Sequence, residues 1–327
     1  MRRGWRLAER LWLVERGIGE VRAALVERGT ILATRTQRDG ELIAGDVVAA
    51  RLVAAREGVA RLDDGRELAV TVPPRVSEGA KLHWRVTRAA IPERDLIKRA
   101  RAVATDAEPR TRTLAEALAE EGAAPVRMVR VEDGALDDAG WVELTQAAAA
   151  GVEAFAGGVL RIEQTAAFVT VDVDGDPARG LALAGAQAAA RTLRAWGVGG
   201  QMVVDLPASE TRADRRAIEA AVEAAAPGHY SAVRAHEGGL LHLIAPRLAP
   251  SLIERARFAG VESAALALLR RAQRAGGTSA VTLLASPAEV AWIEARPALP
   301  AELARGLGRA VRLQADAARG IGGGDVH

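Results

Sequence analysis

The stretch FVTVDVDGDPARG at 168–180 sets Asp172, Asp174 and Asp176 directly after a run of β-branched residues. Strands are depleted in Asp, so strand propensity does not account for carboxylates here. Two readings stand. Asp and Gly are ordinary turn residues, and the segment could be a hydrophilic turn closing a buried strand. Alternatively, carboxylate oxygens gathered at a strand end could hold a hard cation. A second carboxylate, brought in from elsewhere in the chain, would favour the cation.

The elements around this stretch supply one. AAFVTVDVDGD reads as a strand, LALAGAQAAARTLRAW at 181–196 as a helix, and QMVVDLPAS, after the glycine-rich GVGG, as a second buried strand. Strand, helix and strand in this order form a crossover unit whose two strands run parallel and side by side. Asp205 ends the second strand, so it shares with Asp172 the sheet edge at which open α/β sheets bind ligands. Two carboxylates held together repel unless a proton or a cation lies between them. Mg²⁺ binds through one or two carboxylates while keeping waters and accepting phosphate oxygens.

Composition limits what such a site could belong to. A chain of 327 residues is long enough for two or three domains with cores of their own. Its 49% hydrophobic and 26% charged residues place it among globular proteins. Few aromatics and many alanines predict thin cores and close helix packing. The absence of cysteine excludes disulfides, a catalytic thiol and a thiolate zinc site. The N-terminal MRRGWRLAERLWLVERG carries charges throughout, unlike a secretion signal. AAAAGVEAFAGGVL at 147–160 is short and interrupted by Glu153, unlike a membrane span. The expectation is a soluble cytoplasmic protein with no membrane partner. The formal charge is +2, and Lys81 and Lys98 are the only lysines. Arginine suits bidentate phosphate contacts. A GC-rich genome would enrich it equally, so charge alone does not establish a nucleic-acid partner.

Elsewhere the pattern changes along the chain. Residues 19–38 alternate around the turn ERGT as a β-hairpin would, and 40–90 carry short alternating segments that suggest a small barrel or curled sheet, an OB-like module among the candidates. The charged region 91–125 reads as helical. VRMVRV and GGVLRIEQ read as strands, with an Ala-rich helix over 141–154 between them.

Taken in order, these segments resemble the ribonuclease E/G family of bacterial endoribonucleases. EVRAALVERGTIL at 20–32 resembles its opening strands. IEQTAAFVTVDVDG at 162–175, ARTLRAWGVGGQMVVD at 190–205 and GLLHLIAPRLAPSL at 239–252 resemble its catalytic segments, and TLLASPAEVAWI with AVRLQAD its small C-terminal domain. The resemblance implies a mixed α+β chain. Residues 1–38 and 93–155 would form an RNase H-like subdomain, interrupted by an OB-like RNA-binding module at 39–92. Residues 156–253 would be a DNase I-like catalytic subdomain and 254–327 a small C-terminal α/β domain. Asp172 and Asp205 fall on the family's two Mg²⁺-binding aspartates, with Mn²⁺ an acceptable substitute. Asp174 stands beside them in the catalytic set, where the family has asparagine. The implied activity is Mg²⁺-dependent cleavage of single-stranded RNA in processing or decay. The alternatives are an RNA-binding homologue with weak or lost nuclease activity, and an unrelated Mg²⁺-dependent phosphotransfer or nucleotide enzyme, for which GVGG at 197–200 is the pointer.

Several positions depart from the family. Ala166 replaces an acidic residue, Trp196 and Gly197 an Arg-Asp pair, and Glu237 and Ala245 stand where arginines are usual, although Arg247 remains. Without cysteines the family's shared zinc link cannot form, so the reading includes no zinc, and any homo-oligomer would be held by protein surface. The segment that senses an RNA 5′ phosphate is largely missing. Further RNA-binding candidates are Arg212, Arg215 and Arg216, at the start of an amphipathic run whose charges could equally be a solvated face, and Trp84, which could stack on a base or fill a barrel core. His229, His236 and His242 have no common zinc-ligand spacing.

Overall fold

The computed structural model describes residues 10–94, 96–176, 180–207 and 211–327. The chain opens with three antiparallel strands, β1 (Leu11–Gly17), β2 (Glu20–Glu27) and β3 (Thr30–Arg38). Arg28 and Gly29 at the β2–β3 turn have φ of 51° and 79°. Left-handed geometry at both central residues is what a two-residue hairpin matched to strand twist requires. Both faces of this sheet are buried. Leu13, Ala24 and Ile31 belong to the main core, while Trp12, Val14 and Leu25 pack under Leu114 and Leu118 of a later helix.

A closed barrel follows. Its strands β4 (Val47–Ala54), β5 (Val59–Arg61), β6 (Glu67–Thr71) and β7 (Lys81–Arg88) are followed by the small hairpin β8 (Ile91–Pro92) and β9 (Ile97–Lys98), and β10 (Ala100–Ala104) closes the barrel. β10 runs parallel to β6 and antiparallel to β7. The barrel therefore extends past the expected boundary at 92, into the segment read as helical. In ARAVA the buried Ala100 and Ala102 alternate with the exposed Arg101 and Val103, a period of two that the surrounding charges obscure. The helix in this region is confined to α1 (Leu114–Glu121), which is capped by Thr113 and Glu116, and β11 (Val126–Val129) then joins β1 in parallel.

Two helices, α2 (Ala135–Asp138) and α3 (Trp141–Ala150), lead into a six-stranded sheet. Its elements are β12 (Val152–Phe155), β13 (Gly158–Gln164), β14 (Val169–Gly175), α4 (Leu181–Ala195), β15 (Gly200–Asp205), α5 (Arg212–Ala225), β16 (Ala232–Ala235) and β17 (Leu240–Ala245), in the order β12-β13-β14-β15-β17-β16. β14 and β15 are adjacent and parallel, with α4 as the crossover, as the sequence predicts. α4 lies between this sheet and β3, and its small residues set the spacing. A Cβ on Gly185 would come within 2.5 Å of Val173, so α4 approaches β14 too closely for any side chain there.

The remainder comprises α6 (Leu252–Phe258), α7 (Gly260–Gln273), β18 (Val281–Ala285), α8 (Pro287–Glu294), α9 (Ala298–Leu307), β19 (Val311–Ala315) and β20 (Asp325–Val326). The three strands form a sheet ordered β19-β18-β20, which packs with α7, α8 and α9 around Leu266, Leu269, Leu283 and Ile293. Among the described residues no helix is long and apolar enough to cross a membrane.

Candidate metal and nucleic-acid site

Strand parity makes the site. On β14 the valines at 169, 171 and 173 are buried, so Asp172 and Asp174 emerge on the opposite, solvent-facing side. On β15 Met202 and Val204 are buried and Asp205 is exposed. Asp172 and Asp205 are direct register partners on these parallel strands, which sets their backbones about 4.8 Å apart with both carboxylates on one face. Asp176 lies beyond the end of β14.

This donor set suits a hard cation: it is all carboxylate oxygen, exposed, and two residues strong. Among the described residues, no cluster of three or more His, Asp or Glu side chains could hold a metal. Mg²⁺ needs no such cage, since it takes one or two carboxylates and fills its remaining positions with water and phosphate oxygens.

Asp174 is differently engaged. Its carboxylate pairs with the Arg161 guanidinium of β13 at 2.8 Å, and Arg161 is itself the register partner of Asp172. The extra charge at 174 is thus offset within the sheet. Sequence reading did not single out Arg161, although the alternation of GVLRIEQ, with Leu160 and Ile162 buried, puts it on the aspartate face. The same face carries His242 of β17 and its partner Arg234 of β16.

The arginine candidates divide. α5 begins shortly after Asp205, with Thr211 and Asp214 forming its capping box, so Arg212, Arg215 and Arg216 lie toward the same edge as the aspartates. Arg212 and Arg216 are exposed, whereas Arg215 is held by Glu237 at 3.4 Å. Arg247 follows β17 at the end that pairs with Gly200, the opposite edge from Asp205, where it is bound to Glu254. It does not join the aspartate pair.

Trp84 is fully buried in the barrel, with its indole N–H donated to the Ala50 carbonyl at 3.1 Å. No face is left for a base, so the stacking assignment gives way to the barrel-core one. GVGG also has a packing explanation. Gly197 and Gly200 take φ of 69° and 95°, and a Cβ on Gly199 would lie 2.5 Å from the Pro246 carbonyl oxygen. These glycines end α4 and admit a neighbouring chain segment. Of the three histidines, His229 is partly buried edge-on to Tyr230, and burial, with Arg194 and Arg35 nearby, lowers its pKa to about 4.

A scan against protein-family models finds no match for the chain, and a search of curated proteins finds none either. What the site can do is therefore read from its own geometry and from the motif resemblance.

Proposed function

We propose that the chain is a Mg²⁺-dependent endoribonuclease acting on single-stranded RNA, built as a reduced relative of the ribonuclease E/G family. The observation that carries this reading is the register pairing of Asp172 with Asp205 on adjacent parallel strands. On this reading β11-β1-β2-β3 with α1 corresponds to the RNase H-like subdomain and the six-stranded sheet to the DNase I-like one. The five-stranded barrel corresponds to an OB-like module.

Asp172 and Asp205 hold the cation from one face of the sheet. When bound, Mg²⁺ supplies charge stabilisation at the scissile phosphate and lowers the pKa of an attacking water. Arg212 and Arg216 hold the RNA backbone at that edge by charge-assisted hydrogen bonds. On the barrel strands β4, β7 and β10, Arg51, Arg85 and Arg101 are exposed cations suited to a single-stranded backbone, while Lys81 is held by Asp63 at 3.1 Å. With Trp84 in the core, binding there is electrostatic.

An RNA-binding protein with little cleavage is the second reading. It is favoured by the pairing of Arg161 with Asp174 and of Arg215 with Glu237, which neutralises two cations near the site. Incubating a defined single-stranded RNA with purified protein, with and without Mg²⁺ and with Asp172→Asn as control, separates the two. Metal-dependent cleavage lost in the variant supports the nuclease. Binding without cleavage supports the second reading.

A further inference from the structure

Along α4 a cleft of about 660 Å³ opens between the β2–β3 turn, α3 and β12. On β12, Glu153 is in register with the buried Leu160 of β13, so Glu153 and Phe155 enter the cleft from the inner face of the six-stranded sheet. Arg161 and Asp172 stand on the outer face. The cleft and the aspartate pair are therefore separate sites.

One cation on its wall is out of keeping with the rest of the chain. The buried arginines among the described residues are Arg22, Arg38, Arg194, Arg255 and Arg270. Arg22 meets Glu15 at 2.6 Å, Arg38 meets Glu262 at 2.6 Å, Arg255 meets Glu41 at 2.6 Å and Arg270 meets Glu20 at 3.2 Å. Arg194, which lines the cleft and is 8% exposed, has no carboxylate within 4.0 Å and no side-chain hydrogen bond among the described residues. Its nitrogens are not among the enclosed donors without a partner, so they keep accessible surface and a group in the cleft can reach them. A buried charge left unpaired is costly, and a counter-charge brought by a ligand relieves that cost. The surroundings sharpen it. Burial, then Arg10 and Arg35, hold the Arg194 guanidinium below its ordinary value, and Tyr230 and Glu27 offset them only in part. Arg191, three residues earlier on the same helix face, also lines the cleft, exposed and without an ion pair among the described residues.

The facing wall carries the opposite sign. Glu143 of α3 and Glu153 line it, and neither makes an ion pair or a side-chain hydrogen bond among the described residues. Burial alone holds the Glu153 carboxyl above its usual range, with no cation to bring it down. Ile31, Leu144 and Phe155 supply the apolar lining. Two arginines and two glutamates thus share one cleft without meeting, in a volume within the range of small-ligand pockets. We propose that this cleft binds a small apolar zwitterion of dipeptide size, its carboxylate at Arg194 and Arg191, its ammonium at Glu153 and Glu143, and its body against the apolar lining. A ligand with an anionic end alone leaves the glutamates unmet. A phosphate dianion fits less well than a carboxylate, because its second charge would face Glu143 and Glu153 across the same cleft.

Calorimetric titration of the full chain at pH 7 with leucyl-leucine, its N-acetyl derivative and its C-terminal amide tests this. Leucyl-leucine is expected to bind with a Kd below about 1 mM, and each derivative, lacking one of the two charges, at least about tenfold more weakly. Arg194→Met replaces an unpaired buried cation with an apolar side chain of similar length. It should melt no lower than the parent yet bind leucyl-leucine at least about tenfold more weakly, a combination that a merely structural arginine would not give. Glu153→Gln should weaken leucyl-leucine and leave the N-acetyl derivative unchanged. Asp172→Asn should bind leucyl-leucine like the parent, which keeps this site independent of the nuclease reading. No binding of leucyl-leucine, equal binding of either derivative, unchanged affinity in Arg194→Met, or a marked fall in the melting temperature of that variant would each overturn the proposal.

Discussion

The Arg161 guanidinium lies 2.8 Å from the Asp174 carboxylate, while the Arg161 backbone is in register with Asp172. One cation thus stands beside two of the three strand-end aspartates. Its side chain is 60% exposed and that of Asp174 is 50% exposed, so the pair contributes no more than about 1 kcal/mol to folding. Its consequence is chemical, because an arginine engaged by Asp174 is withheld from phosphate. Asp174→Asn should release it, leave the melting temperature nearly unchanged and raise kcat/KM for RNA by up to about tenfold. A loss of activity as deep as that of Asp172→Asn would make Asp174 a metal ligand instead.

For the paired carboxylates the opposite result is expected. Asp172→Asn and Asp205→Asn should each lower cleavage by about two orders of magnitude or more, since each removes half of the protein's anionic donors to the cation. Both residues are exposed, so no cavity forms, and removing one of two repelling charges should leave the metal-free protein as stable or slightly more so. Parallel RNA cleavage assays and thermal melts check both halves. Cleavage at the parent rate by either variant would sink the assignment.

This pair was legible in the sequence because the crossover unit is written locally: two β-branched runs, an alanine-rich helix between them and an aspartate at each strand end. The closing barrel strand was not, since ARAVA has an alanine side too small to advertise burial and an arginine that suggests a solvated helix. Trp84 was ambiguous because an aromatic on a strand suits a barrel interior or a base equally. Only closure of the barrel decides which way it points. The buried ion-pair array that ties the N-terminal sheet to the helices α6 and α7 was out of reach for a different reason. Its partners, such as Glu20 and Arg270 or Glu41 and Arg255, lie more than two hundred residues apart, and nothing in the local pattern pairs them.

Trp84 should behave as a folding residue. Trp84→Ala removes the largest side chain of the barrel core and its hydrogen bond to the Ala50 carbonyl, and should destabilise the protein by about 3–5 kcal/mol. Trp84→Phe should cost less. At temperatures where the variants remain folded, RNA affinity should match the parent. Urea denaturation and filter binding measure the two effects, and an affinity loss in stably folded Trp84→Phe would return the residue to the RNA surface.

His229 predicts a pH dependence of stability. Burial is the main cause of its lowered pKa, with Arg194 and Arg35 adding to it, and its Nε2 has no hydrogen-bond partner. With a folded pKa of about 4 against 6.5 for the free side chain, the unfolded chain takes up a proton that the folded one refuses. The contribution is complete above pH 6.5 and is lost as pH falls toward 4, amounting to about 1–3 kcal/mol after allowance for partial exposure. Urea midpoints at several pH values across this window, compared between the parent and His229→Leu, should show a shallower decline in the variant. Equal slopes would exclude His229 as the cause.

The cations at the aspartate edge should be separable by how each is engaged. Arg212 and Arg216 are exposed at the first turn of α5, and a single-stranded RNA approaching Asp172 and Asp205 from that edge meets them as free phosphate donors. Neutralising a phosphate contact lowers the slope of log affinity against log salt by about 0.7 for a single strand. The double variant Arg212→Gln, Arg216→Gln should therefore lose about 1.4 from that slope, with a matching loss of affinity at low salt. Arg215 differs because Glu237 already holds it at 3.4 Å. Arg215→Gln should change the slope little, whereas Glu237→Gln removes its competitor and should steepen the slope by about 0.7. Fluorescence anisotropy of a labelled oligoribonucleotide over a range of salt concentrations reads all three variants. If Arg215→Gln flattens the dependence as much as either exposed arginine, Glu237 is not a competitor and the RNA path runs along the 237–240 turn instead.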